Sequence, residues 1–285
     1  MSQEHKTAHY VDSGIPQPWH LVRPSPWPLF GALAAGLLTG GTVLFMHKGT
    51  IAGVDLGACW PLIGLAAVLT VMFLWWRDIV RESSVEKAHS PLVKIGLRYG
   101  MALFIASEVM FFAAFFWAYY SAALYPPEAL GGIWPPANIK TFNPFDMPFI
   151  MTLILLLSGT TVTWAHHAAQ AGNQKDMVRA LGYTVLLGMS FSVCQFFEYH
   201  HALFSIKSGM YGATFFMATG FHGLHVIIGT IFLAVCYFRA RAGHFTATSH
   251  FGLEAAAWYW HFVDVVWLFL FISIYWYGAS PNPAP

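Results

Sequence analysis

Seven long apolar stretches separated by polar segments set the pattern of this chain. They run approximately from Trp27 to Phe45, Leu56 to Trp76, Gly96 to Tyr119, Pro148 to His167, Ala180 to Leu203, Tyr211 to Phe238 and Ala256 to Tyr277. A helix needs about 20 apolar residues to cross a hydrocarbon core of about 30 Å, and each stretch approaches or exceeds that length. The runs are continuous, without the period-two alternation of outer-membrane strands, so the pattern predicts helices. The expected fold is an all-α integral membrane protein with seven transmembrane helices. Residues 1–26 read as a polar tail, 27–278 as one membrane domain and 279–285 as a short C-terminal tail.

Composition agrees. The chain is 57% hydrophobic and only 9% charged, against roughly 25% charged in a soluble domain. The charge that informs is its sidedness. The N-tail and the loops after the second, fourth and sixth stretches carry Lys6, Arg23, Arg77, Arg81, Lys87, Lys94, Arg98, Lys175, Arg179, Arg239 and Arg241, eleven of fourteen cations. The other face holds Lys48, Lys140 and Lys207. Cytoplasmic loops are the cation-rich ones, so the N-terminus is expected in the cytoplasm, or its organellar equivalent, and the C-terminus outside. Trp27, Trp60, Trp75, Trp76, Trp134, Trp258 and Trp276 lie near the stretch ends, where amphipathic rings favour the headgroup level.

Other classes lose support. A net charge of +1 offers no basic patch for nucleic acid. Cys59, Cys194 and Cys236 lie in apolar runs and form no CxxC pair. Acidic residues in the polar N-tail argue against a cleaved signal or transit peptide. No phosphate-cradling GxxxxGK[ST] or GxGxxG motif is present, and the seventh stretch has no lysine for a retinal Schiff base. Gly36 with Gly40, and Gly212 with Phe216 and Gly220, stand at spacings that would let helices approach closely. The Pro- and Gly-rich connection from Tyr125 to Met147 suits either a docking surface or a cap over the helix ends.

Ionisable residues at membrane depth are costly and therefore candidates for function. Glu108 leads, ten residues beyond Arg98 and surrounded by Phe104, Val109, Met110, Phe111 and Phe112. It suits a neutral carboxyl bridging helices or a proton or lipid role. His222 and His225 stand three apart midway through the sixth stretch, as metal ligands or as interhelical hydrogen-bond partners. His261 and Asp264 repeat that spacing in the seventh, with Glu254 seven residues earlier, so a polar stripe is expected down this helix. An imidazole fixed by a carboxylate suits a structural network or a proton relay.

The same segments resemble subunit III of the haem-copper cytochrome c oxidases of bacteria and mitochondria. HLVRPSPWPL (His20 to Leu29), WWRDIVRES (Trp75 to Ser83), GLRYGMALFIASEVMFFAAFFWA (Gly96 to Ala118), MATGFHGLHVIIGTIFL (Met217 to Leu233) and HFGLEAAAWYWHFVDVVWLFLFISIYWYG (His250 to Gly278) carry the resemblance. Arg23 stands where many members have an acid, and Ser249 replaces one histidine of a pair before Phe251.

The resemblance implies a two-helix group and a five-helix group separated by a V-shaped, phospholipid-filled cleft. It implies a non-catalytic core subunit of an aa3-type oxidase that stabilises subunit I and supports proton uptake and turnover stability. No cofactor is expected in this chain; haem a and copper belong to partner subunits. Partners would be subunits I and II, with a small subunit IV as a further candidate, and cytochrome c only through the complex. Glu108 matches the family's carbodiimide-reactive glutamate, while Arg81, Arg239, Trp76 and His250 match positions associated with lipid headgroups. The expected location is the bacterial plasma membrane or the mitochondrial inner membrane. The residues alone leave two alternatives: an independent transporter or proton channel with Glu108, His222, His225, His261 and Asp264 as a relay, and a self-sufficient haem protein using the sixth-stretch histidines.

Overall fold

The computed structural model describes residues 9–10, 16–17, 24–50, 57–86, 89–128 and 131–279. Lys6, Arg23, Lys87, the start of the second stretch at Leu56, most of the N-tail and the end of the C-terminal tail lie outside these residues. Seven helices are long and apolar enough to cross a membrane: α1 (Trp27–Met46), α2 (Cys59–Ser84), α3 (Pro91–Leu124), α4 (Met147–Gln170), α5 (Gln174–His201), α6 (Gly209–Arg241) and α7 (Phe251–Leu270), which continues as a π-helical turn over Phe271–Trp276. A two-residue antiparallel ribbon, His9–Tyr10 (β1) with Pro16–Gln17 (β2), is a minor addition.

Several helices outrun their apolar stretches. α3 has 34 residues, about 51 Å at 1.5 Å per residue, and α2 continues through Arg77, Asp78 and Arg81 to Ser84. Their polar ends stay helical because backbone groups leaving the hydrocarbon region are cheapest to satisfy within the helix. The start of α5 is fixed by Asn173, whose Oδ1 accepts from the Asp176 N–H at 3.2 Å while its Nδ2 donates to Asp176 Oδ2 at 2.7 Å. That exchange satisfies one of the orphan donors of a helix N-terminus.

The chain falls into two compact units, residues 1–96 and 97–285. In the first, α1 and α2 pack together where both helices lack a Cβ. A Cβ at Gly41 would meet the Trp60 carbonyl oxygen at 2.8 Å, and one at Gly64 would run into the Leu38 backbone. Trp27 Nε1 ties the start of α1 to Asp78 Oδ2 at 2.8 Å. The expected pair Gly36 and Gly40 faces open space instead; α1 is turned about one residue, or 100°, from the phase their spacing suggested. Gly212 packs under the Ser205 carbonyl, and the nearest atom to Gly220 is the Tyr199 hydroxyl.

In the second unit α4, α5, α6 and α7 approach one another closely, with α7 the most enclosed. Trp260 and Trp267 of α7 are fully buried and donate their indole N–H groups to Ser158 Oγ and Thr152 Oγ1 of α4, each at 2.8 Å. α5 joins α4 through Thr184 and Thr161 at 2.8 Å, and α6 through the Gln195 amide and the Thr219 carbonyl at 3.0 Å. α3 is joined to its neighbours by long side chains rather than by backbone approach. The π turn explains part of this. It leaves carbonyls without their usual partners, and Tyr119 of α3 donates to Ser273 O at 2.8 Å while Tyr120 meets Ser273 Oγ at 2.6 Å.

Candidate functional site

Glu108 and His225 meet. Glu108 is seventeen residues from the start of α3, and His225 sixteen from the start of α6 and sixteen from its end, so both sit at mid-helix. His225 Nε2 stands 2.9 Å from Glu108 Oε2, and Nδ1 of the same ring stands 2.6 Å from the Phe221 carbonyl. A carbonyl oxygen cannot donate, so Nδ1 carries a proton. One further proton lies between Nε2 and the carboxyl, as O–H donating to N or as N–H donating to a carboxylate. The pair is electrically neutral in either form, which suits its depth. Phe112, Phe111, Tyr259 and Phe262 wall the imidazole at centroid distances of 4.9, 5.9, 6.4 and 6.4 Å.

His222 does not join this pair. A separation of three residues turns its direction by about 60° from that of His225. Its ring lies against Phe191 and Trp267, Nε2 donates to the Val263 carbonyl at 3.2 Å, and the buried Nδ1 has no partner. The two histidines therefore bind different helices instead of facing a common ligand.

His261 and Asp264 come together on the α4 side of α7, with Nδ1 to Oδ2 at 3.7 Å, beyond hydrogen-bond length. Thr163 gives its hydroxyl proton to Gly159 O at 2.9 Å, so His261 Nε2, 3.1 Å away, donates to Thr163 Oγ1. Asp264 sits over Gly159, where a Cβ would stand 2.5 Å from Oδ2, and its buried Oδ1 has no partner. Glu254 instead takes the Arg98 guanidinium, with Nε at 3.0 Å from Oε1 and Nη2 at 2.9 Å from Oε2, locking α3 to α7 near their ends. Among the described residues no three His, Cys, Asp or Glu side chains are arranged to hold a metal.

A carboxyl that the sequence reading passed over is Glu198 on α5. It is 3% exposed and accepts from the Tyr275 hydroxyl at 2.9 Å. The criterion that singled out Glu108, an acid in an apolar run, applies equally to the segment QFFEYHH; its nearness to the end of the stretch hid it.

The four positions that the resemblance associates with lipid headgroups fall two in each unit. In the first, Trp76 is exposed, and Arg81 reaches Glu86 at 3.8 Å and is otherwise open. In the second, the Arg239 guanidinium lies 4.6 Å over the Phe245 ring with its buried Nε unpartnered, and His250 Nδ1 stands 3.0 Å from the Thr246 carbonyl.

Seven apolar helices, with their deep polar side chains tied in pairs between helices, define an all-α multi-pass membrane protein. The family model "Cytochrome c oxidase subunit III" matches residues 17–279. Cytochrome c oxidase subunit 3 of Osphranter robustus, of Dugong dugon and of Oncorhynchus mykiss are each 56% identical over 261 residues, 92% of this chain and 97% of the relative. The chain belongs to the cytochrome c oxidase subunit III family, whose members are subunits of an oxidoreductase complex.

Proposed function

We propose that this chain is a non-catalytic core subunit of an aa3-type oxidase in which haem a and copper reside in partner subunits. It packs against subunit I, stabilises it during turnover and supports proton uptake; subunit II and a small subunit IV complete the set. Phospholipids bind to the chain. Cation sidedness supports a bacterial plasma membrane protein, or its mitochondrial inner-membrane equivalent, with the N-terminus inside and the C-terminus outside.

The observation that carries this reading is the neutral Glu108–His225 pair at mid-helix, 2.9 Å across. A single hydrogen bond between α3 and α6 fastens helices without placing net charge in the membrane. The neighbouring polar groups favour fastening too. His222, His261 with Asp264, and Glu254 with Arg98 each bond elsewhere rather than to this pair. A proton relay spanning the membrane needs contiguous partners, and these clusters are separate.

For the lipids the supporting observation is Arg239, a partly exposed guanidinium at the cationic end of α6 that lies over the Phe245 ring. Phosphate oxygens are the acceptors a guanidinium binds best, and anionic headgroups lie at the depth of the cationic end of α6.

The test compares the purified oxidase with and without this chain, following oxygen reduction and proton uptake over many turnovers. Removal is expected to preserve the initial rate and the haem spectrum, slow proton uptake and shorten the active lifetime. Loss of haem on removal, or an unchanged lifetime and uptake rate, would contradict it.

A further inference from the structure

We infer that the α4–α7 face carrying Thr163, His261 and Asp264 is a docking surface for a transmembrane helix of another subunit, and that this helix presents an N–H or O–H donor to the patch. The inference rests on the oxidase-subunit reading and identifies the place where a partner seats.

The first observation is exposure at depth. His261 lies ten residues into α7, about 15 Å along the axis, and its side chain is 46% exposed. An imidazole of that exposure against acyl chains forfeits hydration with nothing in return. The other deep imidazoles are enclosed: His222 is buried, and the His225 side chain is 10% exposed.

The second observation is a shortage of donors. Thr163 spends its proton on Gly159 O, and His261 spends its Nε2 proton on Thr163. Left over at the surface is Nδ1 of the half-exposed His261 ring, an acceptor 3.7 Å from Asp264 Oδ2 and so beyond hydrogen-bond length; Asp264 Oδ1 is buried and out of reach of a docked helix. Polar groups that lack water must be satisfied by protein, and what is missing here is a donor. On the same helix faces as Thr163 and His261, Leu156 and Val265 are 42% and 51% exposed, an apolar rim of the kind a packed helix covers.

The experiment places a photo-reactive benzoylphenylalanine at Val265, and separately at Val235 on α6, in the tagged chain within the assembled complex. After irradiation, adducts are identified by mass spectrometry, and the haem spectrum of the same material is recorded. The expected result is a cross-link from position 265 to a transmembrane segment of another subunit that holds a Ser, Thr, Asn, Gln, Tyr or Trp side chain, and a lower yield from position 235. His261→Leu should reduce the fraction of complex retained in detergent by about threefold, the scale of one interhelical hydrogen bond in a membrane. Lipid adducts alone at position 265 in haem-containing material, with full retention of His261→Leu, would overturn the inference. Absence of haem in the captured material would instead count against the oxidase-subunit reading on which it rests.

Discussion

The Glu108 carboxyl and the His225 imidazole share one proton across 2.9 Å, because the other ring nitrogen is committed to the Phe221 carbonyl at 2.6 Å. An acid that would be expensive alone at mid-membrane is thereby held in a neutral pair between α3 and α6. The proton need not leave the pair for the helices to stay fastened.

Substitution at Glu108 separates fastening from charge. Glu108→Gln keeps a donor for Nε2 of the neutral ring, so assembly, the haem spectrum and initial oxygen reduction should stay near wild type. Glu108→Leu leaves Nε2 unpaired, which costs about 1–3 kcal/mol and should lower the midpoint of thermal unfolding in detergent. Immediate loss of the haem spectrum in the Gln variant would contradict a fastening role.

Trp260 and Ser158 should be energetically coupled. The indole N–H donates at 2.8 Å in a fully buried setting, so a double-mutant cycle with Trp260→Phe and Ser158→Ala should show about 0.6–1.7 kcal/mol of interaction. A coupling of zero would mean the contact contributes packing alone.

Gly64 should tolerate no side chain. A Cβ there runs into the Leu38 backbone, and neither helix can retreat without losing the contact. Gly64→Val should make the α1–α2 unit more susceptible to proteolysis at its connecting loop, whereas Gly36→Val, in open space, should not.

Arg239→Ala should lower phospholipid retained per complex or accelerate activity loss during turnover. Phosphorus analysis of the purified complex and successive oxygen-consumption traces are the measurements, and unchanged lipid content with an unchanged inactivation rate would reject the assignment. Arg239→Lys keeps the charge without the planar donor fork, so an intermediate effect is expected.

The seven helices were legible because hydropathy over twenty residues registers the membrane itself. Helix phase was not. A helix that is apolar all round carries no amphipathic stripe to orient it, so Gly36 and Gly40 read as well as Gly41 and Gly64, which make the contact. The deep residues were legible as costly groups; their partners were not. Glu254 looked like the top of the His261 stripe but pairs with Arg98, 156 residues away in sequence. The π turn at Phe271–Trp276, which frees the Ser273 carbonyl for Tyr119, leaves no mark on hydropathy. It is a backbone adjustment that tertiary partners complete.

The most direct test of membership in a working oxidase is a reduced-minus-oxidised visible spectrum of material captured in mild detergent through a tag on this chain. Haem a bands should be present, and should vanish when stronger detergent strips the other chains while this chain stays folded. No haem under mild conditions, or haem that remains with the stripped chain, would contradict a non-catalytic oxidase subunit.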